Sequence, residues 1–407
     1  MSTTATTPAP SPAMEIPATA KGPLRGITVV DLSRALAGPH AGMMLGDLGA
    51  RVIKVENAVA GDDTRSWGPP FVGPEDESQS TYFLSCNRNK ESISLDLKSP
   101  DGAETLRALI ANADVLIENF RPGVLDRLGF DTETMSSINP RLVVLSISGF
   151  GHDGPESQRS GYDQILQGEA GLMSLTGSSP EDPQRVGVPI ADLLSGMYGA
   201  YGVLAALRER ELTGTGQVVR TSLLAAVIGV HAFQGTRSTV AGEVPAAQGN
   251  HHPSIAPYGL FRSKDGFVQI SVGSAKLWQA FAAAFGLEKL EGFGENSERV
   301  RRRAELVEII EGKFGEFSTR DLLAKLQDAG VPAGIVRTLD EVYAWDQVAS
   351  QGLLIDVKHP LLGSITLPGA PLRFFAPNGT EHTNTDHQAP PLLNQHGDSI
   401  RSWLVGK

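Results

Sequence analysis

What this sequence lacks narrows its function first. It has a single cysteine, Cys86, so no internal disulfide can form, and a reducing, cytoplasmic setting is expected. Cys86 itself reads as a buried structural thiol rather than a nucleophile. Acidic residues outnumber basic ones by 46 to 35, a net charge of -11, so nucleic acid and anionic membrane are poor partners. No apolar run reaches the ~20 residues of a membrane span. None of the nine histidines stands in a zinc spacing, and no metal is expected. The G-x-S-x-G elbow and the G-x-x-x-x-G-K-[ST] phosphate loop are both missing, which weakens the commonest hydrolase and nucleotide-triphosphatase readings.

What is present is a long alternation of strands and helices. The chain has 407 residues, enough for two domains. Residues 1–23 are rich in Thr, Pro and Ala and are expected to form a disordered extension, neither a secretory signal nor a mitochondrial presequence. From Leu24, ITVVDL, a loop, the helix AGMMLGDLG and RVIKVEN form a βαβ unit. Further strands follow in SISLDL, DVLIENF and RLVVLSISGF, with Ser99 capping a helix whose Leu106, Leu109 and Ile110 share a face. This predicts an α/β fold with a Rossmann-like parallel sheet covered on both faces. The first strand-to-helix turn, Leu36 to Gly42, lacks the three spaced glycines of a dinucleotide fingerprint, so no NAD is expected. The assigned divisions are a large domain over 24–225, linkers and a smaller α+β domain over 226–345, and a C-terminal segment, 346–407, returning to the large domain. Within the small domain, Asp265-Gly266 marks a hairpin, helices are expected over 276–285, 302–314 and 319–329, and 234–254 reads as loop.

The stretch GVPIADLLSGMYGAYGVLAAL, Gly187 to Leu207, organises the rest. Asp192 stands between an extended lead-in and a long apolar helix. It can cap that helix, or it can be a carboxylate nucleophile kept ionised by the positive helix end. Two other regions bear on the choice. Between Asp62 and Lys98, the basic residues Arg65, Arg88, Lys90 and Lys98 lie among Trp67, Tyr82 and Phe83, the pattern of a pocket that accepts an anion. Asn119, Phe120, Arg121, Gly123 and Arg127 form a second basic and amide cluster after a strand end. Together they describe an enzyme with a phosphate-bearing ligand and a carboxylate near a helix start.

These stretches resemble the class III coenzyme A transferases. VVDLSRALAGPHAGMMLGDLGARVIKVE, NRNKESISLDLK, ENFRPGVLDRLG, GYDQILQGEAGLMSLTG, PIADLLSGMYGAYG and GNHHPSIAPYGLF carry the likeness over most of the chain. GDDTRSWGPPFVG is most similar to the succinyl-CoA:glutarate branch. The resemblance implies Asp192 as catalytic nucleophile, passing through an aspartyl anhydride and an aspartyl-CoA thioester. It implies CoA contacts at Arg34, Ala35, Ala37, Leu95, Lys98, Asn119, Phe120 and Arg127. It places Leu36, Trp67, Tyr82 and Tyr162 in the pocket, with Gly249, Asn250, His251 and His252 in a glycine flap that excludes water. A CoA thioester is then a substrate, no cofactor is held permanently, a carboxylic acid accepts CoA, and the protein is an interlocked homodimer. The donor is expected to be succinyl-CoA and the acceptor a short dicarboxylate, whose distal carboxylate Arg185 could meet. Two departures stand out. Asn57 replaces an arginine of formyl-CoA transferase, with Arg51 or Arg65 as candidate substitutes. Leu36 replaces a glutamine, which argues against formyl-CoA and oxalate.

Two alternatives remain. The α-methylacyl-CoA racemases share the fold, but their catalytic histidine corresponds to Tyr162 here, a poor base at its ordinary pKa of ~10. A non-catalytic CoA-binding protein would be expected to lack Asp192 or the flap, and both are present.

Overall fold

The computed structural model describes residues 21–406; most of the N-terminal extension assigned to 1–23 lies outside the described residues. The described chain falls into two compact units. The first holds residues up to Ala170, Val188–His231 and those from Ser350 on; the second holds Gly171–Gly187 and Ala232–Ala349.

The first unit is built on six parallel strands: β1 Thr28–Asp31, β2 Arg51–Asn57, β3 Lys90–Leu95, β4 Val115–Glu118, β5 Val143–Ser148 and β6 Val218–Ser222. Their order is β3-β2-β1-β4-β5-β6. Chain direction across the sheet reverses between β1 and β4, where a doubly wound fold opens a crevice at the carboxyl ends of its strands. Every residue of β4 and β5 is buried, as expected for central parallel strands. The covering helices are α1 Ala37–Asp47, α2 Pro100–Ala111, α3 Asp163–Glu169 and α4 Ile190–Thr213. Ser99 does cap α2, accepting the Gly102 N–H at 3.0 Å, and Leu106, Leu109 and Ile110 are fully buried on one face.

Helix α4 spans 24 residues and is long and apolar enough, by composition alone, to cross a membrane, contrary to the expectation that no such run exists. It packs instead on α1, β5 and β6. Two glycines make that packing close. A Cβ at Gly196 would lie 2.6 Å from the Ala37 carbonyl, and one at Gly199 would lie 2.8 Å from Leu145. The approach at Gly196 brings the start of α1 beside the first turns of α4, where Asp192 sits.

The second unit has an antiparallel sheet of β7 Tyr258–Arg262, β8 Phe267–Ser271 and β9 Ala333–Ile335. Helices α5 Ala275–Phe285, α6 Arg303–Phe314 and α7 Thr319–Asp328 enclose a core containing Phe261, Phe281 and Phe314. Ser263 and Gly266 close the predicted hairpin turn. The 234–254 stretch is not all loop: a helix runs over Ala232–Thr239 and carries Gly235 inside it. A lone glycine costs a helix only about 1 kcal/mol, so it does not mark an end.

Candidate active site

Asp192 is the third residue of α4, not its cap; the cap position is Pro189, which has no side-chain hydrogen bond to offer. The free N–H of the first turn is taken from outside. Asp163, at the start of α3, accepts the Ala191 N–H at 2.8 Å through Oδ1, and its Oδ2 accepts the Gln167 side-chain amide at 2.7 Å. Burial, reinforced by the nearby Asp163 charge, pushes the Asp192 carboxyl up to about 7. This reverses the expectation that the helix end keeps it low. No hydrogen bond among the described residues reaches the Asp192 carboxylate, so desolvation acts on it unopposed by a donor.

Asp192 borders a cavity of about 400 Å³ with Trp67, Tyr82, Tyr162 and Asp163. Trp67 and Tyr82 meet edge to face at 5.1 Å. The Tyr82 hydroxyl keeps its proton: burial, then the Asp192 charge, raise its pKa well above the ordinary value. Arg34, Ala35 and Ala37 form the wall from the β1–α1 loop, and Asn119, Phe120 and Arg121 from the loop after β4. The two loops are tied together, because the Asn119 side chain accepts the Arg34 N–H at 2.8 Å and donates to the Arg34 carbonyl at 2.7 Å. A second cavity of about 620 Å³ contains Leu95, Lys98, Arg127 and Asn57 and shares Arg34, Phe120 and Arg121 with the first. A carboxylate chamber thus shares a wall with a larger chamber that carries several cations.

The family model described as CoA-transferase family III matches residues 24–397. The chain belongs to that family. A human succinyl-CoA:glutarate CoA-transferase is 38% identical over 93% of this chain and 85% of the relative. An Agrobacterium fabrum succinate–glutarate CoA-transferase is 39% identical over 88% and 92%. The crystal structure of a CAIB/BAIF family protein from Brucella suis is 41% identical, with a TM-score of 0.83 over 94% of this chain and all of that one.

In this CoA-transferase, several residues lie where the sequence reading did not put them. Leu36 is 4% exposed and lines neither chamber; it packs inward at the start of α1. The cations read as an anion pocket are mostly consumed by buried pairing. Arg65 forks onto Glu56, Arg88 onto Asp47, and Lys90 bonds Asp31 at 2.9 Å. Only Lys98 of that group lines a chamber. Neither candidate substitute for the arginine missing at Asn57 is available: Arg65 is held by Glu56, and Arg51 forks onto Glu91 while stacking on Trp403 at 4.3 Å. Arg121, a member of the second basic cluster, borders both chambers. Arg185, in the second unit, donates to the Val186 and Gly187 carbonyls beside it. Cys86 is buried, and burial pushes its thiol up to about 11, which makes it inert.

The glycine loop lies in the second unit and is fastened there. Gly249 takes a left-handed φ of +62° and donates to the Gly177 carbonyl at 2.9 Å. Arg303 donates to the His252 and Pro253 carbonyls at 2.8 and 2.9 Å. The His252 ring stacks between Phe233 and Tyr258 at 5.6 and 5.1 Å. Asn250 and His251 stand between these anchors.

Proposed function

We propose that this protein moves coenzyme A from succinyl-CoA to a short dicarboxylic acid through covalent catalysis at Asp192. The observation that carries the reading is a half-buried aspartate on the wall of one chamber, with Arg34, Phe120 and Arg121 leading into a second chamber that holds Lys98 and Arg127. The second chamber suits the phosphates of CoA, and the pantetheine arm would carry the thioester to Asp192. One Asp192 oxygen attacks the thioester carbonyl carbon; the C–O bond forms, the C–S bond breaks, and CoA leaves as thiolate. The thiolate attacks the Asp192 acyl carbon and expels the donor carboxylate, leaving an aspartyl-CoA thioester. The acceptor carboxylate attacks that thioester and expels the thiolate. The thiolate then takes the acceptor's acyl carbon and frees Asp192. Attachment to the protein keeps each acyl intermediate beside its next partner, which replaces bimolecular encounters with positioned ones.

The glycine loop at Gly249 to His252 is the proposed lid over the anhydride, and the protein works as an interlocked homodimer in the cytoplasm. Tyr162 in place of a histidine disfavours a racemase, and Asp192 at a chamber wall disfavours a non-catalytic role. The test is incubation with succinyl-CoA and a panel of carboxylic acids, following every acyl-CoA by mass spectrometry. CoA appearing on a dicarboxylate supports the reading. No transfer, with deuterium entering a 2-methylacyl-CoA from heavy water, would support the racemase instead.

Two outcomes follow for kinetics. The attacking Asp192 must be ionised, so kcat/KM rises with pH through an acid limb near the value of about 7 to which burial and Asp163 push that carboxyl. A limb near 4 in the pH profile would contradict this. Removing a phosphate-facing cation, as in Lys98→Ala or Arg121→Ala, raises KM for acyl-CoA about 10-fold at low salt, and the difference narrows as salt rises. Steady-state kinetics at two ionic strengths would check it.

A further inference from the structure

Asp163 stands beside the nucleophile without being part of the bond changes. It accepts two well-formed hydrogen bonds, from the Ala191 N–H and from the Gln167 side-chain amide, and it borders the same chamber as Asp192. We infer that Asp163 is a positioning residue for the transfer: it fastens the first turn of α4 so that Asp192 borders the chamber, and it sets a second negative charge next to the attacking carboxylate. The inference rests on the proposed role of Asp192.

The other groups around Asp192 leave that charge uncompensated. Tyr82, from the helix Thr81–Cys86, holds its proton. His40 of α1 lies against Gly196 of α4 and is pushed down to about 4, first by burial and then by Lys90, so it is neutral at working pH. Arg34 pairs with Asp63 at 3.4 Å, and Arg159 is held by Glu156 and Glu169. Arg121 also borders the chamber, and Asp163 is the charged side chain that acts on Asp192.

The chemistry needs such a neighbour. An ordinary aspartate, near ~4, is a weak nucleophile towards a thioester whose thiol leaving group lies near ~8.5. A more basic carboxylate narrows that gap and attacks faster, as proton affinity and nucleophilicity rise together. Fastening by a charged group rather than by a hydroxyl cap therefore serves both geometry and reactivity.

Asp163→Asn separates the two, because asparagine keeps an oxygen for Ala191 and loses the charge. In a pH profile of kcat/KM, its acid limb should move down by roughly one unit, so that at pH 6 it keeps about five times the wild-type fraction of its own plateau. Asp163→Ser also loses the charge but reaches Ala191 less well; it should show the same shift with a lower plateau. Whichever variant is folded by circular dichroism decides. A limb at the wild-type position, with only the height changed, would overturn the inference. Asp192→Ala run alongside keeps the two ideas apart. If it still transfers CoA, the reading of Asp192 fails; if it is inactive while the Asp163 variants keep the wild-type limb, this inference alone fails.

Discussion

Asp192→Asn is expected to lose CoA transfer by about 10⁴-fold or more while gaining thermal stability above neutral pH. The loss follows from removing the oxygen that attacks the thioester. The gain follows from linkage. The folded protein holds the Asp192 carboxyl up at about 7, above its ordinary 3.8, so its ionised form is penalised only in the folded state. Wild-type stability therefore falls as pH rises from about 4 through 7, and the neutral amide escapes that fall. Discounted for partial exposure, the difference at pH 8 is on the order of 1–3 kcal/mol, a few degrees in Tm. It should close at pH 4. Melting curves at the two pH values would check it. An inactive variant that melts lower than wild type at pH 8 would mean that Asp192 is a structural group.

The second large effect lies beneath the β1–α1 loop. Lys54 is fully buried, pairs with the buried Asp62 at 2.7 Å and donates to the Ser33 carbonyl at 3.0 Å. Asp62 in turn accepts the Ala35 N–H at 3.2 Å and the Thr64 N–H at 3.0 Å. Ala35 needs that support, since its φ of +63° is a left-handed conformation that costs an alanine about 1–2 kcal/mol. Lys90 and Asp31 brace the same loop, with Lys90 donating to the Pro39 carbonyl at 2.8 Å and Asp31 accepting the Ser33 N–H at 3.0 Å. Lys54→Met removes one partner and strands the other charge in the interior. It should destabilise by about 3–5 kcal/mol, measured by urea unfolding. The double variant Lys54→Met/Asp62→Asn removes both charges and keeps the acceptor for Ala35. It should recover the greater part of the loss. Equal damage in both would mean that Lys54 matters for packing rather than for charge.

Much of the scaffold is legible in the sequence because its signals are local. Apolar runs such as Leu142 to Ile147 announce central strands, Ser99 announces a helix start, and Asp265-Gly266 announces a hairpin. Asp192 stands out through its position at a helix start and through the motifs around it. What stays hidden depends on partners remote in sequence. Nothing near Arg88 or Lys90 says that Asp47 and Asp31 neutralise them in the interior. Nothing near Ala191 says that Asp163 caps it, although the missing cap at Pro189 is a signal that some outside acceptor must exist. Arg121 is legible as one of a basic cluster after a strand end, but its place on the wall of both chambers needs the fold. The direction of the Asp192 shift was also illegible, because helix-end stabilisation can be read from position, whereas burial and a like charge need coordinates.

The most direct test of the account is to trap CoA on the protein. Incubated with succinyl-CoA and no acceptor, quenched in acid and digested, the wild type should yield a peptide carrying CoA as a thioester on Asp192, and adding a dicarboxylate before the quench should discharge it. Transfer of CoA to the acceptor with no label on Asp192 at any time, or with the label on another residue, would contradict it.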